Sequence, residues 1–220
     1  MGDRTSFSGR PAIHSCLDTA LILAGGESAR FGRPKALVEA GGKPMIRRVA
    51  EAVTPVAGEV VVSIAESRME DAIRAVLPRV RFAVDRRHGV GPIEGIVRGF
   101  EIARGKRVLV APCDAPLLRP QLYRFLLEVL GDYDAAVPKL NVVDPVRAVY
   151  RRTRVLEILK TSRAIRSPSA LVDRLRCHFI DSDRIRAVDP SLSSFVDVNT
   201  PGDLDQVLPK IESQNVGRRS

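Results

Sequence analysis

Short apolar runs alternate with amphipathic stretches along most of the chain, and this alternation constrains the fold more than any other feature of the sequence. Residues 19–23 (TALIL), 59–64 (EVVVSI), 81–84 (RFAV) and 107–111 (RVLVA) are too short for buried helices and read as strands. Between them lie helical patterns. PMIRRVAEAV, from Pro44, puts Met45, Val49 and Ala52 on one face, with proline at the favoured first turn. Ser67 is read as the cap of a helix running to about Val76 and stopped by Pro78. Residues 92–104 place Ile93, Ile96, Val97 and Phe100 together, and 120–130 form a further helix. Beyond these, 134–137, 146–150 (VRAVY) and 194–198 are expected strands, and 155–160, 169–176 and 202–208 expected helices. Strand–helix alternation at this spacing predicts an α/β domain with a mostly parallel sheet covered on both faces. The 220 residues suffice for one domain, expected over 19–212, with a flexible tail at 1–18 and a disordered one at 213–220.

In such sheets ligands bind outside the carboxyl ends of the strands. The polar positions just after the expected strands are the glycine loop 25–32, Asp85, the pair Cys113-Asp114, and Asn199. The loop sits in LAGGESARFGRPKAL, residues 23–37, where Gly25-Gly26 is followed by Arg30, Arg33 and Lys35. Glycines let successive backbone N–H groups approach phosphate oxygens. The loop is neither a P-loop, since G-x-x-x-x-G-K-[ST] is absent, nor a G-x-G-x-x-G dinucleotide fingerprint.

A net charge of +9 raises a competing class, a non-enzymatic nucleic-acid-binding protein. Aromatic content of 5% without tryptophan leaves few stacking platforms, and the basic residues are scattered, so nucleic acid is not the expected partner. Cys16, Cys113 and Cys177 form no CxxC pair, which argues against zinc or a disulfide framework and for a reducing, cytoplasmic setting. No run of about 18 apolar residues predicts a membrane span.

LAGGESARFGRPKAL resembles the signature loop L-A-G-G-x-S-x-R-M-G-x-x-K of nucleotidyltransferases that activate sugars and cofactors. Within that superfamily the chain is most similar to the molybdenum cofactor guanylyltransferases. GPIEGI (91–96) resembles their G-P-L-x-G-I segment, APCDAPLL (111–118) their P-C-D-x-P block, and VDVNTPGDL (196–204) their V-N-x-N-T-P-x-[DE]-L ending. The four stretches fall in the family's order and span about 19–208. Phe31 replaces the usual Met, Asp197 stands where Asn is frequent, and Asp144 precedes Pro145 where His-Pro is common. The last two lie where the resemblance puts the pterin, so they bear on the acceptor more than on the reaction.

The resemblance implies a three-layer α/β/α, Rossmann-like nucleotidyltransferase fold. It implies an enzyme that moves GMP from GTP to the phosphate of molybdopterin and releases pyrophosphate. Backbone groups of Leu23, Ala24 and Gly25 would contact guanine and ribose, and Gly25 to Gly32, Gly26 included, would cradle the triphosphate. Arg30 and Lys35 would neutralise charge as pyrophosphate leaves. Asp114 would be catalytic and hold Mg²⁺, a hard cation that takes only one or two carboxylates at such sites. Asp85 would lie on the guanine or ribose side, and Tyr150 and Asn199 would meet the acceptor. Cys113 is expected to be a packed thiol and His88 a loop residue. The implied partners are GTP, molybdopterin and molybdoenzyme chaperones, with a monomer or weak oligomer as the working state. A CTP-using relative, or one whose acceptor is a cobinamide phosphate or phospholactate, is the alternative within the superfamily.

Overall fold

The computed structural model describes residues 18–25, 31–87, 89–162 and 165–216. Among them a seven-stranded sheet has the order β5-β4-β1-β6-β8-β7-β9. Strands β1 (Asp18–Leu23), β4 (Glu59–Ile64), β5 (Arg81–Val84) and β6 (Arg107–Pro112) are mutually parallel. A separate two-residue hairpin, β2 (Glu39–Ala40) and β3 (Lys43–Pro44), turns through Gly41 and Gly42, whose φ angles of 57° and 74° suit glycine.

The central strands are apolar on both sides because helices cover both faces. Ala20, Ile22, Val62, Ile64, Leu109 and Ala111 point into one layer with α1 (Met45–Val53), α2 (Glu70–Val76) and α4 (Pro120–Val129). Leu21, Val61, Val108 and Val110 point into the other, with α3 (Pro92–Ile102), α5 (Arg152–Thr161) and α6 (Pro168–Val172). The expected three-layer fold is therefore present.

The structure departs from the sequence reading in four places in its second half and at Ser67 in its first. Strand β8 (Val149–Arg151) runs antiparallel to both β6 and β7 (Ala135–Lys139), because the connection from β7 is too short for a crossover helix. An unexpected edge strand, β9 (Cys177–Asp181), pairs parallel to β7 and is followed by α7 (Ser182–Arg186). The helix expected at 169–176 is only Pro168–Val172, started by the Ser167 hydroxyl accepting from the Ala170 N–H. The strand expected at 194–198 does not form. The buried Asp189 carboxylate accepts from Ser193 N–H, Ser193 Oγ and Ser194 N–H, which closes a 3-10 turn at Ser193–Phe195 instead. Ser67 opens a 3-10 turn and makes no cap bond, so α2 begins at Glu70.

The last helix, α8 (Pro201–Val216), runs longer than the pattern at 202–208. Val207 and Ile211 hold it against Val38, Ala40 and Met45 at the hairpin. No helix among the described residues is long and apolar enough to cross a membrane.

Candidate active site

The carboxyl ends of β1, β4, β5 and β6 open into a cleft of about 690 Å³, within the range of small-molecule sites. Leu23, Gly25, Lys35, Asp85, Asp114 and Asn199 line it, and of these Gly25, Asp85 and Asp114 sit just past strand ends as the position rule requires. Gly26, Arg30 and His88 lie outside the described residues.

Asp85 follows β5 with its N–H bonded to Ile64 O at 3.0 Å, which aims its carboxylate across β4 toward β1. A Cβ on Gly25 would come within 3.5 Å of Asp85 Oδ2, so glycine leaves the space between the two strand ends open. Ala24 is buried and its N–H is already taken by Ser63 O at 2.8 Å.

On the other side, β6 delivers Asp114 two residues past its end. Lys35 begins a 3-10 turn after Pro34 and donates to Asp114 Oδ2 at 2.5 Å and to Asn199 Oδ1 at 2.7 Å. Its side chain is only 13% exposed. Asn199 reaches the cleft without a strand behind it. The Val198 N–H donates to Asp114 O at 2.9 Å, and Asp203 Oδ2 accepts the N–H groups of Asn199 and Thr200 at 2.8 Å each. Thr200 Oγ1 returns the favour to the Asp203 N–H at 3.2 Å, a reciprocal cap on α8 that leaves the Asn199 side chain for Lys35. These backbone bonds, led by that from Asn199, hold the Asp203 carboxyl below its ordinary pKa.

Tyr150 is not brought to the cleft. Its ring is fully buried, edge-on to Phe100, and its hydroxyl donates to Pro145 O at 2.6 Å. Strand β8 turns it inward, beneath the loop between β7 and β8 that carries the departure at Asp144. That loop also supplies Arg147, a cleft-lining residue the sequence reading missed. Arg147 is 4% exposed and donates to Ser194 O at 2.8 Å, Asp144 Oδ2 at 2.7 Å and Asp197 Oδ1. Burial raises the Asp197 pKa against the opposing pull of Arg147, and nearby Asp114 adds to the rise. An arginine within the alternating VRAVY was the available signal. Ser63 and Glu66, also missed, line the cleft at and just past the end of β4, and a β-branched run gives no signal for them.

Cys113 is buried beside Asp114, and burial first, then that carboxylate, pushes its thiol pKa up to about 12. It is a packed thiol and no nucleophile at neutral pH.

The charged groups lining the cleft among the described residues are Lys35 and Arg147 against Glu66, Asp85, Asp114 and Asp197. Among these described groups carboxylates outnumber cations, so a bound cation would ease the approach of a triphosphate. The donors near Asp114, its own carboxylate and Asn199 Oδ1, are hard oxygens, the ligand type that magnesium takes.

A family model described as the MobA-like NTP transferase domain matches residues 20–178. A protein of Pelotomaculum thermopropionicum named "Probable molybdenum cofactor guanylyltransferase" is 34% identical over 91% of this chain and 96% of its own length. One of Methanosarcina acetivorans with the same name is 31% identical over 88% and 91%. The crystal structure of molybdopterin-guanine dinucleotide biosynthesis protein A from Archaeoglobus fulgidus superposes with a TM-score of 0.75 at 25% identity, over 89% of this chain and 99% of that one. A 4-diphosphocytidyl-2C-methyl-D-erythritol synthase from Anaerococcus prevotii, at TM-score 0.68 and 13% identity, shares the fold.

Proposed function

We propose, for a chain that belongs to the MobA-like NTP transferase family, that it transfers GMP from GTP to the phosphate of molybdopterin and releases pyrophosphate. The observation that carries this reading is the meeting of Lys35, Asp114 and Asn199, from three distant parts of the chain, at the strand ends of a nucleotidyltransferase fold. A phosphate oxygen of the acceptor attacks the α-phosphorus of GTP in line, a new P–O bond forms, and the bond to the β-phosphate oxygen breaks. The attacking oxygen is already ionised, so no general base is required. Lys35 carries positive charge to the point where the departing pyrophosphate gathers negative charge, and Asn199 and Asp114 fix its ammonium.

The oxygens of Asp114 would hold Mg²⁺, which when bound supplies further charge neutralisation at the phosphates. Gly25 and Asp85 bound the donor side of the cleft, and Arg147 and Asp197 the side left for the acceptor.

Calorimetric titration with GTP, CTP and ATP in Mg²⁺, using the wild type and Asp114→Ala, tests the reading. GTP-selective binding that loses its metal dependence in the variant supports it, and pyrophosphate release on adding molybdopterin completes it. Preference for CTP moves the enzyme to cytidylyl transfer, and no nucleotide binding overturns the proposal.

A further inference from the structure

Glu94 is a buried carboxylate that the transfer mechanism does not use. It occupies the first turn of α3 and its side chain is 3% exposed. An unpaired carboxylate at that depth would be costly, so its partners define its task. Glu94 Oε1 accepts the backbone N–H of Arg86 at 3.2 Å, and Oε2 accepts Nε and one terminal nitrogen of Arg87 at 2.9 and 2.6 Å. Both partners belong to the segment that leaves β5 immediately after Asp85.

The helix that carries Glu94 cannot drift. A Cβ on the next residue, Gly95, would lie 2.3 Å from Ser63 Oγ, so the α3 backbone rests directly on the end of β4. Asp85 is thus clamped from both sides. Its own N–H is held by Ile64 O, and the peptide that follows it is held by Glu94. Releasing that peptide would return backbone freedom to the segment. The Asp85 carboxylate, whose Oδ1 Ser63 Oγ also approaches at 3.5 Å, would then be held less firmly in its direction into the cleft.

We infer that Glu94 is a positioning residue for nucleotide selection: it orients Asp85 so that the carboxylate accepts from the ring N–H and exocyclic amine of guanine. Cytosine and adenine offer only an amine on the corresponding edge and cannot repeat that pairing. The inference rests on the guanylyl-transfer reading above.

The test is calorimetric titration of GTP and CTP, in Mg²⁺, into the wild type, Glu94→Ala, Glu94→Gln and Arg87→Met, with a thermal melt of each. Glu94→Ala is expected to weaken GTP about tenfold while leaving CTP nearly unchanged, the scale of one lost hydrogen bond to a charged group. Glu94→Gln keeps an oxygen for the Arg86 N–H and restores most of the preference. Arg87→Met changes a side chain that is 65% exposed, so it folds, and it reduces the preference by a smaller factor. A Glu94→Ala protein that melts lower but keeps the wild-type ratio of GTP to CTP affinity overturns the inference and leaves Glu94 a stabilising residue only. If Glu94→Ala does not fold, an unchanged ratio in both Glu94→Gln and Arg87→Met overturns it equally. A wild type without GTP preference removes the functional reading and this inference with it, so the two failures are told apart by the wild type alone.

Discussion

Lys35 does two things at once, and its substitution separates them. Its ammonium is bonded to Asp114 and Asn199, and in the proposed mechanism it neutralises the charge that develops on pyrophosphate. Lys35→Met should lower kcat by about 10²–10³, the scale for one electrostatic group aimed at a transition state. Steady-state pyrophosphate release at saturating GTP measures it, and a loss confined to KM would mean that Lys35 only binds substrate. Cys113 makes the opposite case, a residue beside the chemistry that takes no part. With its pKa near 12 and that of Cys177 near 11, both thiols stay protonated at pH 8. In a Cys16→Ser background, native iodoacetamide labelling should be far slower than for a free thiol, and rapid modification of Cys113 would show that the cleft opens to its sulfur.

At the scale of elements, the seat of α3 on the sheet decides the donor side of the cleft. A Cβ on Gly99 would lie 2.3 Å from the Leu21 side chain, as close as one on Gly95 to Ser63. Gly99→Ala, a full turn from the cleft, should cost about 1–3 kcal/mol by overpacking with GTP affinity unchanged. Gly95→Ala should cost a similar amount and weaken GTP as well, because it lifts the turn that carries Glu94. Urea melts and GTP titration of the two variants check this, and equal effects on binding would contradict it. The helix α4 is tied down differently: Tyr123, fully buried, donates its hydroxyl to Val110 O at 2.5 Å, so Tyr123→Phe should cost about 0.5–1.5 kcal/mol in the same melts. The first four strands of the large sheet and their helices could be read from the sequence because each satisfies its own pattern locally. Strand β9 could not, since an edge strand reading CHFID with Phe179 46% exposed has no apolar alternation to detect.

At the scale of the whole molecule, part of the acid sensitivity should arise at the end of the sheet opposite the cleft, at Glu59. Burial works against the charge on Glu59, but bonds from Thr19 Oγ1, the Arg104 N–H and Arg81 outweigh it, and the net pKa falls below the ordinary 4.5. A carboxylate with a depressed folded pKa contributes stability that is fully present above its unfolded value and is lost as pH falls through the folded one. The melting temperature should therefore hold above about pH 4.5 and decline below it, and Glu59→Gln should flatten part of that decline. A variant whose Tm falls as steeply as the wild type's would remove Glu59 as a cause. Glu59 joins β4 to β1, β5 and the turn before β6, so its protonation loosens four parts of the sheet together.

The layer architecture and the places of Asp85 and Asp114 were legible in the amino-acid sequence from local pattern: short apolar strands, the helices between them, and polar residues just past strand ends. Lys35 was legible through the resemblance of its loop to a family motif, and Asn199 was expected behind a strand that does not form. It took the folded chain to bring Asn199 to Lys35, through the bond of the neighbouring Val198 N–H to Asp114 O. The same holds for the turning of Tyr150 into the core by the reversed β8, and for the meeting of Arg147 with Asp144 and Asp197 at the cleft. It holds again for Glu94, which looks like a solvated helical glutamate until β5 brings Arg86 and Arg87 against it. Apart from the short-range pairs Arg147–Asp144 and Tyr150–Pro145, these contacts join groups far apart in sequence, Asn199 to Lys35, Arg147 to Asp197 and Glu94 to Arg86, which meet only once the sheet has assembled. No residue's own neighbours in sequence record which group that partner will be.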